Sequence, residues 1–207
     1  MAYTIIALTH EEKDVSLKAK DPGLTKKGLK NALEMGRGAI HSLLWDLKFT
    51  FIGVGHGERY EETFSPIEVY IAGPQKIPSK FYPSLGDPAS VIDIRPEGVN
   101  TVLKNQISIT KLSTGRKVIS DRFIPAARCK SFDPWKFLKL DIEEATLGDK
   151  LIIGNKLIIT GRDFFRSIPF VGKSGCLYEI DVEKKSIELI AVVAEDKIAR
   201  KPSVLEV

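Results

Sequence analysis

The sequence is short of several things, and each shortage excludes something. It has only two cysteines, Cys129 and Cys176. Neither has the spacing of a metal site or a disulfide framework, so both read as reduced packing residues. Side-chain amides are scarce: Gln stands only at 75 and 106, and Asn only at 31, 100, 105 and 155. With abundant Ile, Lys and Glu, that scarcity points to a thermophilic source. No apolar run approaches the ~20 residues that cross a bilayer, so no membrane partner is expected. No basic stretch followed by an apolar one leads the chain, so no secretory leader is expected and the reading is cytoplasmic. A net charge of only +4, dispersed along the chain, offers no face for nucleic acid, though it suits a small anionic ligand.

What is present suits a folded domain. The 207 residues are 43 % hydrophobic and 28 % charged, enough for one α/β domain over residues 1–207 with a well-solvated surface. Tyr3 to Leu8 is an apolar run that reads as a buried strand. Thr25 is a plausible N-cap for a helix from Lys26 to Leu47, with Leu29, Leu33, Ile40, Leu43, Leu44 and Leu47 at helical spacing. Lys48–Val54 reads as the next strand. A short helix from Glu58 to about Phe64 is limited by Pro66, and residues 67–72 look β-prone. Five prolines between Gly73 and Gly98 suggest a loop-like insertion or lid. Residues 100–123 are ambiguous.

Asp133 and Pro134 open a helix towards Ala145. Lys150 to Thr160 gives one or two strand runs with a turn at Gly154-Asn155. Residues 176–193 form an antiparallel hairpin around a polar turn at 183–186. The charged tail after Ala194 is expected to fray. The order predicts a three-layer α/β/α fold with a mostly parallel sheet and an antiparallel edge hairpin.

Three segments carry a resemblance. The spacing Asp21-x-x-Leu24-Thr25-x-x-Gly28-x-x-x-Ala32 follows the strand ending in Thr9-His10-Glu11-Glu12. After the next strand, "GHGERYEET" places Arg59 four residues before Thr63. Late in the chain, "LIITGRDFFRSI" precedes the hairpin. The set resembles the histidine phosphatase superfamily, the phosphoglycerate mutase-like group. There a strand ends in Arg-His-Gly-Glu, Asp-x-Pro-Leu-Thr-x-x-Gly-x-x-Gln-Ala opens the first helix, Arg and Thr follow the second strand, and Thr-His-Gly ends a late strand. The match covers roughly residues 3–64 and 148–193. Thr9, Glu11, Asn31 and Gly161 depart from it, standing where the family has arginine, glycine, glutamine and a second histidine.

The resemblance implies a phosphoglycerate mutase-like fold, no cofactor, a small phosphorylated or anionic ligand, and an open question of a homodimer. It implies His10 as the nucleophile that becomes a phosphohistidine and Arg59 as a phosphate ligand. Attack on a phosphoester dianion needs cations and donors around the phosphoryl oxygens. Thr9 and Gly161 remove two of those groups, and Glu11 adds a carboxylate. Arg162, one residue past Gly161, and His56, in the loop before Arg59, are candidate replacements; Arg166 and Lys173 are more distant ones. Gly53, Gly55 and Gly57 would let backbone approach an anion. No acid stands out beyond a guess at Glu97. His41 reads as structural, and His10, His41 and His56 lack metal-ligand spacing. Two functions stay open: an atypical phosphatase, or a catalytically inactive descendant that binds an anionic ligand or a protein partner.

Overall fold

The computed structural model describes residues 3–12, 23–55, 57–71, 76–86, 107–111, 117–121, 133–161, 164–165, 168, 170 and 172–203, with backbone alone at 83–84, 107–111 and 117–121. His56, Glu97, Cys129, Arg162 and Arg166 lie outside the described residues. The chain opens with β1 (Ile5–Thr9), α1 (Lys26–Glu34), α2 (Gly38–Asp46), β2 (Phe51–Gly55) and α3 (Glu58–Ile71). Next come β3 (Ser79–Tyr82), the turn α4 (Pro83–Gly86) and the antiparallel pair β4 (Ile107–Lys111) and β5 (Lys117–Asp121). A helical turn α5 (Pro134–Phe137) runs on as a π-helical stretch Leu138–Glu143. A small hairpin β6 (Thr146–Leu147) and β7 (Lys150–Leu151) precedes β8 (Lys156–Thr160), β9 (Cys176–Asp181), β10 (Ser186–Val192) and β11 (Lys197–Ile198).

Among the described residues, seven strands form the main sheet in the order β11-β10-β9-β1-β8-β2-β3. The pairs β1/β8, β8/β2 and β2/β3 are parallel, and β1/β9, β9/β10 and β10/β11 are antiparallel. The α/β class and the late hairpin are therefore as expected. Each face of the sheet carries its own core. Ile6, Leu8, Ile52, Val54 and Ile159 pack with Ala32, Ile40, Leu44, Phe64 and Ile67 of α1–α3. Ile5, Ala7, Phe51 and Ile158 pack with Leu85, Phe137, Leu138, Ile142 and Phe164. Alternation along β1 sends neighbouring side chains to opposite layers.

Several expected boundaries are corrected. The first helix is two helices. Gly36 leaves no room for a side chain against the Tyr70 ring, and Gly38 turns the chain at φ +76°. Leu33, assigned to the apolar face, is 55 % exposed. The second strand begins three residues later than expected, after Lys48 at φ 46°. Pro66 lies inside α3 rather than limiting it, and the β-prone residues 67–71 are helical. Tyr60, Thr63, Phe64 and Ile67 are buried along one stripe, and that packing outweighs the hydrogen bond Pro66 cannot make. Residues 79–86 of the proline-rich stretch are ordered as β3 and α4.

The tail does not fray up to Ser203. β11 pairs with β10, and the Asp196 carboxylate accepts from Ala39 N at 3.0 Å and Ile40 N at 2.9 Å, capping α2. Arg200 reaches Glu179 and Glu188.

Candidate functional site

The Leu-Thr-x-x-Gly spacing has a local physical reason. Thr25 caps α1, its hydroxyl accepting from Gly28 N at 3.0 Å. Thr25 N donates to Glu12 O at 2.8 Å, and a Cβ on Gly28 would lie 2.7 Å from the same oxygen. Only glycine lets α1 pack this closely on the segment after β1. The result fixes residues 10–12 beside the C-terminal ends of the parallel strands, where open α/β sheets bind ligands. His10 N donates to Thr160 O at 2.9 Å, and Gly175 N donates to His10 O at 3.2 Å, so neighbours on both sides hold the turn.

His10 is 5 % exposed. Its Nδ1 lies 2.5 Å from the Glu11 carbonyl oxygen. A carbonyl only accepts, so Nδ1 carries the proton, and in the neutral ring the lone pair belongs to Nε2. The imidazole meets the Tyr60 ring edge-on, with centroids 5.1 Å apart. Arg59, in the first turn of α3, donates to the Tyr60 hydroxyl at 2.9 Å, and its guanidinium stands 4.5 Å from that ring's centroid. The Thr63 hydroxyl donates back to Arg59 O at 2.8 Å, so the four-residue Arg59/Thr63 spacing satisfies the buried hydroxyl within the first turn of α3. The structure thus brings His10 and Arg59 together through Tyr60.

Tyr60, 1 % exposed, was not among the residues expected at the site. Its hydroxyl donates to Gly86 O at 2.9 Å. A Cβ on Gly161 would lie 2.5 Å from that hydroxyl, and one on Gly55 would lie 3.0 Å from Tyr60 Cδ1. Two glycines of the "GVGHG" segment therefore serve packing: Gly55 admits Tyr60, and a Cβ on Gly53 would meet Leu85 and Ile142 at 3.1 Å, while Gly57 has a positive φ of 127°. The one sequence signal was a tyrosine following Arg59 combined with glycine at 161.

The departing residues also have partners. The Thr9 hydroxyl donates to Lys173 O at 2.5 Å and accepts from Cys176 N at 3.0 Å, which ties it to the turn before β9. The Glu11 carboxylate is buried between α1 and Gly175. Asn31 Nδ2 donates to its Oε2 at 3.2 Å, and a Cβ on Gly175 would lie 2.7 Å from Oε1. Burial pushes the Glu11 carboxyl above the ordinary carboxylate range, against smaller lowering by Asn31 and Lys27. Burial also raises the Cys176 thiol. The side chain of Lys173 is exposed. His41, on α2, stacks with Trp45 and meets Tyr70 edge-on, a surface packing role. Among the described residues no group of His, Cys, Asp and Glu could hold a metal ion, and no helix is long and apolar enough to cross a membrane.

No family model and no curated protein matches the sequence. The fold does match solved structures. The protein histidine phosphatase SixA complexed with tungstate is 11 % identical, covers 94 % of this chain and 99 % of its own, and gives a TM-score of 0.53. A phosphoserine phosphatase mutant from Entamoeba histolytica in complex with phosphoserine is 11 % identical, covers 94 % and 99 %, and gives 0.50. At these identities the likeness establishes the fold, which is the phosphoglycerate mutase-like fold of the histidine phosphatases.

Proposed function

We propose that the protein is a phosphatase-like enzyme acting on a small phosphoester through His10. The carrying observation is the His10 Nδ1–Glu11 O hydrogen bond, which puts the imidazole in the tautomer a phosphoryl acceptor needs. Nε2 attacks phosphorus, the P–N bond forms as the P–O ester bond breaks, and the leaving oxygen departs with the bonding pair and takes a proton from solvent. Water then attacks phosphorus and cleaves the P–N bond, the bonding pair returning to Nε2 and the water's proton going to solvent, which releases phosphate and regenerates the neutral ring. Arg59, at the start of α3, supplies a fixed cation and a helix N-terminus for the phosphoryl oxygens. Arg162 and His56 are further phosphate ligands in this reading, on their chain positions beside Gly161 and Arg59. The two neighbouring folds named above hold tungstate and phosphoserine, both tetrahedral oxyanions or carriers of one.

A second reading, an anion-binding descendant without turnover, has its own observation. Thr9 and Tyr60 fill with neutral groups the two places where the resemblance expects an arginine and a second histidine. An aryl phosphate separates the readings, because its phenolate leaves without a proton donor. Wild type should release phenolate, and His10→Ala should fall on the order of a hundredfold or more. Equal background rates with retained tungstate binding would leave the second reading; equal rates with no binding would end both.

A further inference from the structure

We infer that Tyr60 is a positioning residue that sets Arg59 and His10 in one fixed geometry, seated in a slot that Gly55 and Gly161 leave open and that the Gly86 carbonyl closes. The slot is assembled from distant parts of the chain. Gly55 ends β2, Gly86 ends α4 and Gly161 follows β8. A Cβ at 55 would press on Cδ1 of the ring at 3.0 Å, and a Cβ at 161 would collide with the hydroxyl at 2.5 Å. The Gly86 carbonyl accepts the hydroxyl proton at 2.9 Å. Gly161 N donates to Leu85 O at 3.2 Å and the Thr160 hydroxyl to the same oxygen at 2.5 Å, so α4 is anchored to β8 and the slot has fixed walls.

From that slot the phenol makes three separable contacts with two residues. Its oxygen, having donated to Gly86, accepts from Arg59 at 2.9 Å, and this aims the guanidinium. The ring face carries the same guanidinium at 4.5 Å, within the range of an effective cation–π contact. The ring also meets the His10 imidazole edge-on at 5.1 Å and limits its rotation about the bond that the Nδ1 hydrogen bond orients. Removing the hydroxyl alone should disturb Arg59. Removing the ring should disturb both residues. A merely structural tyrosine would show no such division.

The inference rests on the anion-site reading for its binding readout only, so two readouts are taken on the full chain. The first is the ¹⁵N signature of the imidazoles. With three histidines in the sequence, His10 is assigned by difference against His10→Gln. The second is affinity for inorganic phosphate. Wild type should show His10 protonated at Nδ1. Tyr60→Phe should keep that signature and lose about tenfold in phosphate affinity, the scale of one charge-assisted hydrogen bond. Tyr60→Leu should lose the fixed tautomer and bind more weakly still.

Wild-type values of both readouts in Tyr60→Leu would overturn the inference. If wild type binds no phosphate, the anion-site reading fails and the His10 signature alone decides: changed in Tyr60→Leu it supports the inference, unchanged it overturns it. If Tyr60→Leu does not fold, Gly161→Ala takes its place. That variant should disturb both readouts, and Gly161→Ala in a Tyr60→Phe background should restore the His10 signature.

Discussion

A Cβ on Gly161 would lie 2.5 Å from the Tyr60 hydroxyl, and the next atom of the ring, Cζ, would be 3.5 Å away. The clash below 3.0 Å is with that hydroxyl oxygen, and Gly86 O is a milder, tight contact at 3.1 Å. Gly161→Ala should therefore overpack the site and cost about 1–3 kcal/mol. In a Tyr60→Phe background most of that cost should vanish. Denaturant unfolding of the four proteins in the cycle reads the coupling directly. Additive effects would mean the two positions do not share the space.

Glu11 gives a prediction about pH. Its folded-state value is raised by burial, so the folded protein binds a proton that the unfolded chain has already lost. Its contribution is fully present below the ordinary glutamate range and is lost as pH rises through the raised value. Glu11→Gln keeps an acceptor for Asn31 and removes the charge. Thermal melts should show the variant gaining stability over wild type as pH rises from 4 towards 8. A constant difference across that range would rule out a buried ionisation at Glu11.

Thr9 tests whether a departing residue is structural. Thr9→Val keeps the shape and leaves Cys176 N and Lys173 O without the hydroxyl they share. The expected loss is about 1–3 kcal/mol of stability, the cost of stranding buried polar groups. Phosphate affinity should stay near wild type. A large loss of affinity with intact stability would place the Thr9 hydroxyl in the pocket instead.

Asp196 serves as a control away from the site. Its carboxylate caps α2 from the far end of the chain, so Asp196→Ala should lose about 1 kcal/mol. Because α2 does not carry His10 or Arg59, aryl phosphate turnover at a temperature where the variant is folded should match wild type. A parallel loss of turnover would show that α2 is coupled to the site.

The features legible in the sequence are those with local causes. Thr25 and Gly28 could be read because a cap and a close helix approach act within a few residues. The late hairpin could be read because alternation and a polar turn are local too. Pro66 misled because the burial of Phe64 and Ile67 against the sheet decides α3. Asp196 misled because its partners, Ala39 and Ile40, lie on a distant helix. Tyr60 was missed for the same reason: Gly55, Gly86 and Gly161 meet only in the folded chain.

The most direct test of a nucleophilic His10 is to look for phosphate on its imidazole during turnover. The enzyme is mixed with an aryl phosphate, quenched in alkaline denaturant to preserve a P–N bond, and digested for mass spectrometry. A phosphoryl group is expected on the peptide carrying His10 and absent from His10→Gln. Phosphate release with His10 unmodified, or undiminished release by His10→Gln, would contradict a nucleophilic His10.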